Sequence, residues 1–449
     1  MKAFLQRIGR HPLIRVLRNK NLIRLWIGEG FSVLGSQFYM IALPWLVLQI
    51  TGDTFQMGTV LALAGIPRAL FMLVGGAFTD RFAPKVIMIA SNTVRMCVGI
   101  YLAFLVYNNQ VNITLLYLLS LTFGLADAFL YPAQSAILPK IVKPEFLLAG
   151  NSIVQGTAQL SIAVGPALAG IVIAVFSGGT ASDIVSNHTM DMFGIAVAFM
   201  VNASAFFISI LFFLLIRLNR FENHSETSNE QTMLDLLWEG ILYLKRDKTL
   251  IFMLFVAAFN HFLVEGPLFI GVPVLANSRF TQGAAAFGII MSGLGAGMLT
   301  GIAAAGLLPA LNPKRMGSIL MTLLSLSGLG MIILGFMSNT YLAAFVVMLM
   351  GLAQGFVIVQ FSTWMQLRAP SHLLGRVLSM MMFASVGLVP VSQALCGALI
   401  KFSVTGLFVG AGIIVVVLNL MMSFRREIRM MGLANEGVYS AGEEESRKS

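Results

Sequence analysis

Long apolar stretches recur from Leu25 to Phe424, bounded by charged residues or Pro/Gly-rich turns, and they decide the class of fold before any other feature is weighed. A helix needs about 20 mostly apolar residues to cross the hydrocarbon core of a bilayer. Candidate spans fall at 25–50, 56–78, 86–107, 113–137, 148–176, 193–216, 250–276, 284–308, 316–337, 340–365, 375–401 and 404–424. Hydrocarbon cannot hydrogen-bond an open sheet edge, so these spans are expected as α-helices. Composition points the same way: 57% of residues are hydrophobic and 11% charged, whereas about a quarter are charged in a soluble domain. The expected fold is therefore an all-α, multi-pass membrane bundle of twelve helices. A water-soluble enzyme is excluded on the same grounds.

The formal charge of +10 would suit a nucleic acid only if the basic residues were gathered on one face. Instead they cluster between alternate pairs of apolar spans. Lys2, Arg7, Arg10, Arg15, Arg18, Lys20, Arg24, Arg81, Lys85, Lys140, Lys143, Arg217, Arg220, Lys245, Arg246, Lys248, Lys314, Arg315, Arg368, Arg376, Arg425, Arg426, Arg429, Arg447 and Lys448 belong to one set of ends and loops. Arg279 and Lys401 nearly exhaust the other. Basic loops stay inside, so both termini and the central loop of a chain set among membrane lipids are expected in the cytoplasm, with no nucleic-acid partner. The amino terminus lacks a small-residue cleavage site before its first apolar run, which reads as a retained helix. Cys97 and Cys396 both fall inside apolar runs, where Cys behaves as a small hydrophobe.

The longest polar interruption, Leu218 to Thr249, divides the spans six and six. The expected organisation is an amino-terminal half at 1–217, a linker at 218–249, a carboxy-terminal half at 250–425 and a tail at 426–449. Within the linker, Met233 to Leu244 is amphipathic and suits an interfacial helix. An internal repeat supports the division: IVKPEFLLAGN aligns with LRAPSHLLGRV, pairing Pro144 with Pro370, between the fourth and fifth span of each half.

After the second span comes GGAFTDRFAPK, with Gly76, Asp80, Arg81 and Lys85. A Gly, then Asp-Arg, then a basic residue in this loop resembles the signature of the major facilitator superfamily, and the resemblance extends over essentially the whole chain. It implies two six-helix pseudo-repeats and alternating access to a mid-membrane site at the interface of the halves. It also implies a conformational latch at Gly76, Asp80, Arg81 and Lys85. The matching place in the second half, LLPALNPKR, has no acid.

In the fifth span SIAVGPALAG resembles the motif of the superfamily's antiporters, carried by Ser161, Gly165, Pro166, Ala169 and Gly170. Ala169 stands where a second Gly is usual. Small faces admit close helix contact and Pro loosens the backbone, so the helix can seal against a partner and pivot, and the resemblance to antiporters implies export. Wording such as FSVLGSQFYMIALPWLVLQITG and PAQSAILPKIVKPEFLLAGNS resembles the branch that holds macrolide-efflux and enterobactin-export proteins. Ser36 and Gln37 follow Gly35 where that branch often has an Asp, so coupling in this chain is expected to run through other groups.

Ionisable residues at membrane depth are functional candidates by default. Here they are Glu29, Arg68, Arg95, Asp127, His261 and Glu265. His261 and Glu265 are four apart and share a helix face, and Gly266-Pro267 follows them. A carboxylate beside an imidazole is a candidate proton site, with Glu265 as carrier and His261 tuning it; a packed interhelical pair is the alternative. Asp127 and Arg95 lie on antiparallel neighbours at similar depth, either as coupling groups or as a static pair. Glu29 sits near Arg24 at the start of its span, where an interfacial charge is the simpler reading and proton coupling the other. Gln37, Phe38, Arg68, Asn260, Gln360 and Trp364 are candidates to line an amphipathic substrate cavity.

There is no Gly-rich phosphate loop with a Lys-Ser/Thr ending, no metal-ligand spacing of His and Cys and no nucleophile elbow. A secondary transporter is therefore expected, with no cofactor or metal, acting as a monomer on a small-molecule substrate and protons. Proton-coupled efflux of amphipathic molecules is the leading reading. An uptake carrier shares every one of these features, and a non-transporting membrane interaction protein would leave the intramembrane charges without a task.

Overall fold

The computed structural model describes residues 19–81, 83–142, 146–177, 192–217, 247–308, 311–312, 314–368, 387–429 and 431. Outside them lie the amphipathic stretch Met233 to Leu244 and the segments holding Pro144 and Pro370. Among the described residues every regular element is helical. The helices are α1 Lys20–Thr51, α2 Thr54–Arg81, α3 Pro84–Tyr107, α4 Ile113–Ile141, α5 Leu147–Phe176, α6 Phe193–Leu214, α7 Lys248–Ser278, α8 Ala284–Leu307, α9 Met316–Leu334, α10 Thr340–Arg368, α11 Val389–Leu399, α12 Val404–Ser423 and the short α13 Arg426–Arg429. Ten of them are long and apolar enough to cross a membrane. The expected span 375–401 is described as helix only over Val389–Leu399.

Local chemistry sets the helix ends. Asn19 caps α1, its Oδ1 accepting from the N–H groups of Asn21 (2.9 Å) and Leu22 (3.3 Å), so two of the first turn's free donors are satisfied. Asp247 does the same for α7, accepting from Thr249 (3.0 Å) and Leu250 (3.3 Å). α1 stops at Gly52, whose φ of 59° is left-handed and whose N–H returns to Leu48 O; a side chain there would be strained.

The chain gathers into two compact units, one of residues 1–225 with 273–292 and the other of 226–272 with 293–449. In the first, α1 packs on α6 and α5, α3 on α6 and α4, and α2 along α4. A Cβ at Gly124 of α4 would overlap the Ala64 carbonyl of α2, so these two backbones touch. The start of α8 belongs to this unit: Gly288 lies against the Pro166 carbonyl, and Gly170 against Ala284 and Gly288. Near them the Ser292 hydroxyl accepts the Ala167 N–H at 2.7 Å. With no aqueous gain from burying apolar faces in lipid, close backbone approach through small residues is how such helices associate.

In the second unit Gly293, Gly297 and Gly301 of α8 meet the carbonyls of Ala344, Met348 and Leu352 in α10. α9 packs on α12 and α10. At the Lys248 end of α7, Leu250, Met253, Trp364, Met365, Ile428 and Met431 form one buried cluster. α13 is thereby built into the unit: Gly317 leaves room for the Ile428 carbonyl, and Trp364 Nε1 donates to Met431 O at 2.9 Å.

Candidate functional site

The polar centre of the first unit is built on α3. Ser91, Asn92 and Arg95 fall on one face of that helix and are buried. The Arg95 side chain is 1% exposed. Its Nη1 donates to Asp127 Oδ1 at 2.9 Å and to Ser36 Oγ at 3.2 Å, and its Nη2 to Ser32 Oγ at 3.1 Å and to Asn92 Oδ1. The guanidinium also lies 4.4 Å from the centre of the Phe206 ring. Asn92 in turn donates to Ser209 Oγ at 2.8 Å. A buried charge without partners costs several kcal/mol, and this shell of acceptors is what makes Arg95 tolerable there.

Asp127 on α4 also meets Arg68 on α2, with Oδ2 3.6 Å from Nη1. The Gly124–Ala64 contact, one turn earlier on both helices, sets the register that brings Arg68 beside Asp127. Phe71 and Phe129 follow on the same two helices, with ring centroids 5.8 Å apart.

Glu29 is more deeply placed than an interfacial charge. Its side chain is buried, Oε2 accepts from Gln134 Nε2 at 2.5 Å, and Oε1 has no partner among the described residues. Arg24 turns away from it, donating to Leu215 O at 2.7 Å. α1 is buried along most of its length, so Glu29, about two and a half turns in from its start, meets helices and not headgroups.

In the second unit His261 Nδ1 lies 2.6 Å from Glu265 Oε1, with the two side chains 35% and 32% exposed. Both sit near the middle of α7. Behind them Gly266 has no room for a Cβ against Ser392 of α11, and Ser392 Oγ donates to the Phe262 carbonyl. Pro267 withholds the N–H that Leu263 O would otherwise accept, so this is a locally weakened stretch of helix.

The candidate cavity residues separate. Phe38 is buried in the core of the first unit. Asn260 pairs reciprocally with Asn419 of α12, at 3.1 and 2.9 Å. Trp364 is 2% exposed and holds Met431 and, at 5.4 Å, the Arg368 guanidinium. These three have contacts that account for them by packing. Gln37 is half-buried with its Cβ against Gly165, Gln360 is half-buried and Arg68 is exposed.

Of the latch residues, Gly76, Asp80 and Arg81 lie in the last turns of α2, with side chains outside those described. Lys85 Nζ donates to Leu214 O at 2.8 Å and to Ile216 O at 2.7 Å. A cation there satisfies carbonyls at the end of α6 and complements its dipole. In the antiporter-type motif, Gly165, Pro166 and Gly170 make close helix contacts, Ala169 is fully buried, and Ser161 Oγ points to Gly30 O at 3.5 Å.

Ser32, Gln134, Ser209 and Phe206 were not legible as partners from their own sequence context. A Ser four residues before Ser36 is unremarkable until a buried guanidinium stands opposite both. Asp247 and Arg368, joined at 2.5 Å, were likewise hidden as ordinary charges at helix ends.

A profile of the Major Facilitator Superfamily matches residues 25–392. The chain belongs to the Major Facilitator Superfamily. Superfamily membership makes it an integral multi-pass membrane transporter. It is 23% identical over 360 residues to macrolide efflux protein A of Streptococcus pyogenes, covering 79% of this chain and 83% of that one. To a Bacillus subtilis protein described as an uncharacterized MFS-type transporter, YfiS, it is 27% identical over 379 residues, 82% of this chain and 83% of the relative. A match to the enterobactin exporter EntS of Salmonella typhimurium is 27% identical over 177 residues, 38% of this chain and 39% of the exporter. Among solved structures, a point mutant of the nucleoside transporter NupG superposes with a TM-score of 0.67 at 15% identity, covering 90% of this chain and all of that one. A bacterial Spinster homologue gives 0.66 at 12% identity over 92% of this chain and 96% of its own. These two likenesses concern the superfamily fold alone.

Proposed function

We propose that the chain exports small amphipathic molecules, of drug, macrolide or siderophore type, across a bacterial inner membrane in exchange for entering protons. Export is supported by the relatives named for macrolide efflux and enterobactin export. The single observation that carries proton coupling is the pair His261 and Glu265, in contact at 2.6 Å, both about one-third exposed, halfway along an apolar helix. Such a pair takes up one proton between a carboxylate and an imidazole and gives it up again when the site changes access.

In this reading the halves 1–217 and 250–425 rock by alternating access, with both termini in the cytoplasm. Protonation of Glu265 from outside accompanies substrate release and closure. Loss of that proton inside restores the state that binds substrate. The Ser392 hydroxyl on Phe262 O and the Pro267 break give α7 a place to bend as the proton is exchanged. The loop with Asp80, Arg81 and Lys85 biases the equilibrium between the two access states.

The test is accumulation of dyes and macrolides in a bacterial host stripped of its own efflux pumps, with and without the protein and an uncoupler. Export that the uncoupler abolishes and Glu265→Gln reduces at least about tenfold is expected. Gradient-driven export unchanged in Glu265→Gln overturns the assignment of the proton site.

A further inference from the structure

We infer that Arg68 is the anchor for an anionic group of the substrate, so that the transported molecules are amphipathic organic anions such as aromatic carboxylates. This rests on the export reading and narrows it to anions, setting amine-bearing, cationic molecules such as the macrolides behind them.

Arg68 lies within a turn of the middle of α2, where the surroundings are hydrocarbon unless an aqueous cavity reaches in. Its side chain is 44% exposed. Ile66 and Leu70, also exposed, form a different face of α2, about 200° around from Arg68 at 3.6 residues per turn. The apolar face suits lipid; the guanidinium needs water or a polar ligand.

The nearest acid does not satisfy it. Asp127 gives Oδ1 to Arg95 at 2.9 Å, in a hydrogen bond within the buried shell of Ser32, Ser36 and Asn92. Arg68 meets only the other oxygen, at 3.6 Å, and has no hydrogen bond to any described residue. One carboxylate thus stands between two guanidiniums, and it is committed to the buried one. Glu29 does not restore the balance at Arg68, because it is buried and held by Gln134. Arg95 is 1% exposed with most of its donors used, and cannot receive a ligand. Arg68 keeps a free planar fork of donors, which matches a carboxylate in bidentate geometry.

The wall beside it fits the rest of such a molecule. Phe71, 37% exposed, lies about one turn beyond Arg68, and Phe129 two residues beyond Asp127, with their rings 5.8 Å apart. An aromatic anion places its charge on Arg68 and its apolar body on these rings, and Asp127 Oδ2 is the group it displaces.

The experiment is equilibrium binding by fluorescence anisotropy to the full-length protein in lipid nanodiscs, with no gradient applied. The probes are carboxyfluorescein, an anion, and tetramethylrhodamine ethyl ester, a cation on the same xanthene core. The expected result is binding of the anion at least about tenfold tighter than the cation, weakened about tenfold by Arg68→Gln and within about threefold of wild type in Arg68→Lys. Because Arg68 is 44% exposed and makes no hydrogen bond to a described residue, both variants should remain monodisperse, and unchanged cation binding in Arg68→Gln confirms an intact site. Equal binding of the two dyes, tighter binding of the cation, or carboxyfluorescein affinity untouched in Arg68→Gln overturns the inference. The same dyes in energised vesicles separate it from the export reading. Proton-driven export indifferent to dye charge leaves export standing and sinks the anion anchor. Arg68-dependent anion binding with no gradient-driven movement of either dye sinks export and keeps the anchor.

Discussion

Asn19 and Asp247 hold the same position in two different helices, each capping the first turn of its own helix while binding the last residue of the helix three further along the chain. Asn19 Nδ2 donates to Ile141 O, at the end of α4, at 2.8 Å, and Asp247 Oδ2 accepts from Arg368 Nε, at the end of α10, at 2.5 Å. The surrounding sequences, NKNLI and DKTLI, align without gaps, and Leu22 and Leu250 are both fully buried. Duplication of one bundle explains both the cap and the tie.

Asp247→Ala removes a cap and leaves Arg368 without its carboxylate. A loss of about 1–3 kcal/mol is expected, read as a lower midpoint of thermal unfolding in detergent. Asp247→Asn keeps the cap and weakens the tie, as Asn19 does naturally, and should recover about half. Equal midpoints for Asp247→Ala and wild type would show that the tie contributes nothing.

Gly124→Ala should be poorly tolerated, because its methyl group would occupy the place of the Ala64 carbonyl and force α2 from α4. Gly156→Ala is the matched control, with nothing within 4 Å of the new methyl. The first is expected to lose about 1–3 kcal/mol and the second to be neutral or gain up to about 1 kcal/mol from helix propensity. Yield of folded protein and unfolding midpoint measure both.

Asp127→Asn leaves Arg95 buried without its hydrogen-bonded carboxylate. A loss of about 3–5 kcal/mol is expected, well above that of Arg68→Gln, whose side chain is 44% exposed against 1% for Arg95. Thermal unfolding of the two single variants decides the order. If Arg68→Gln proved the more damaging, Arg68 would have to be a structural partner of Asp127.

Ser292→Ala deprives the Ala167 N–H of its acceptor beside Pro166, where the proline ring has already loosened the helix. A cost of about 1–2 kcal/mol is expected, with Ser292→Thr close to wild type because it keeps the hydroxyl. Hydrogen exchange at Ala167, faster in the alanine variant, is the direct readout.

The course of the backbone was legible because membrane depth imposes length on every apolar run. Helices begin and end within a few residues of the expected bounds for spans such as 113–137 and 340–365. The meeting of His261 and Glu265 follows from spacing on one helix, and that of Arg95 and Asp127 from the opposed course of α3 and α4. What sequence cannot supply is the rotation of each helix about its axis. Asn260, Phe38 and Trp364 are chemically suited to a cavity, yet Asn260 turns to Asn419, Phe38 to the core and Trp364 to Met431. Glu29 departs from the interfacial reading for a related reason: distance from the end of a helix says little about burial when neighbouring helices extend past it. The Asn19 and Asp247 correspondence did leave a trace in the Lys, Leu and Ile that NKNLI and DKTLI share where α1 and α7 begin.

The insertion of α13 among α7, α9 and α10 has a consequence for the order in which the chain acquires its structure. Leu250, at the start of α7, shares a cluster with Ile428 and Met431, so that helix finishes packing against residues made only after α12. Contacts of such sequence separation close slowly. Until translation has passed Met431, the Trp364 indole lacks its acceptor and the Leu250 side chain lacks part of its cover. A nascent chain arrested at Phe424 would hold nearly every span and still be unfinished at this corner, open to chaperones and proteases there.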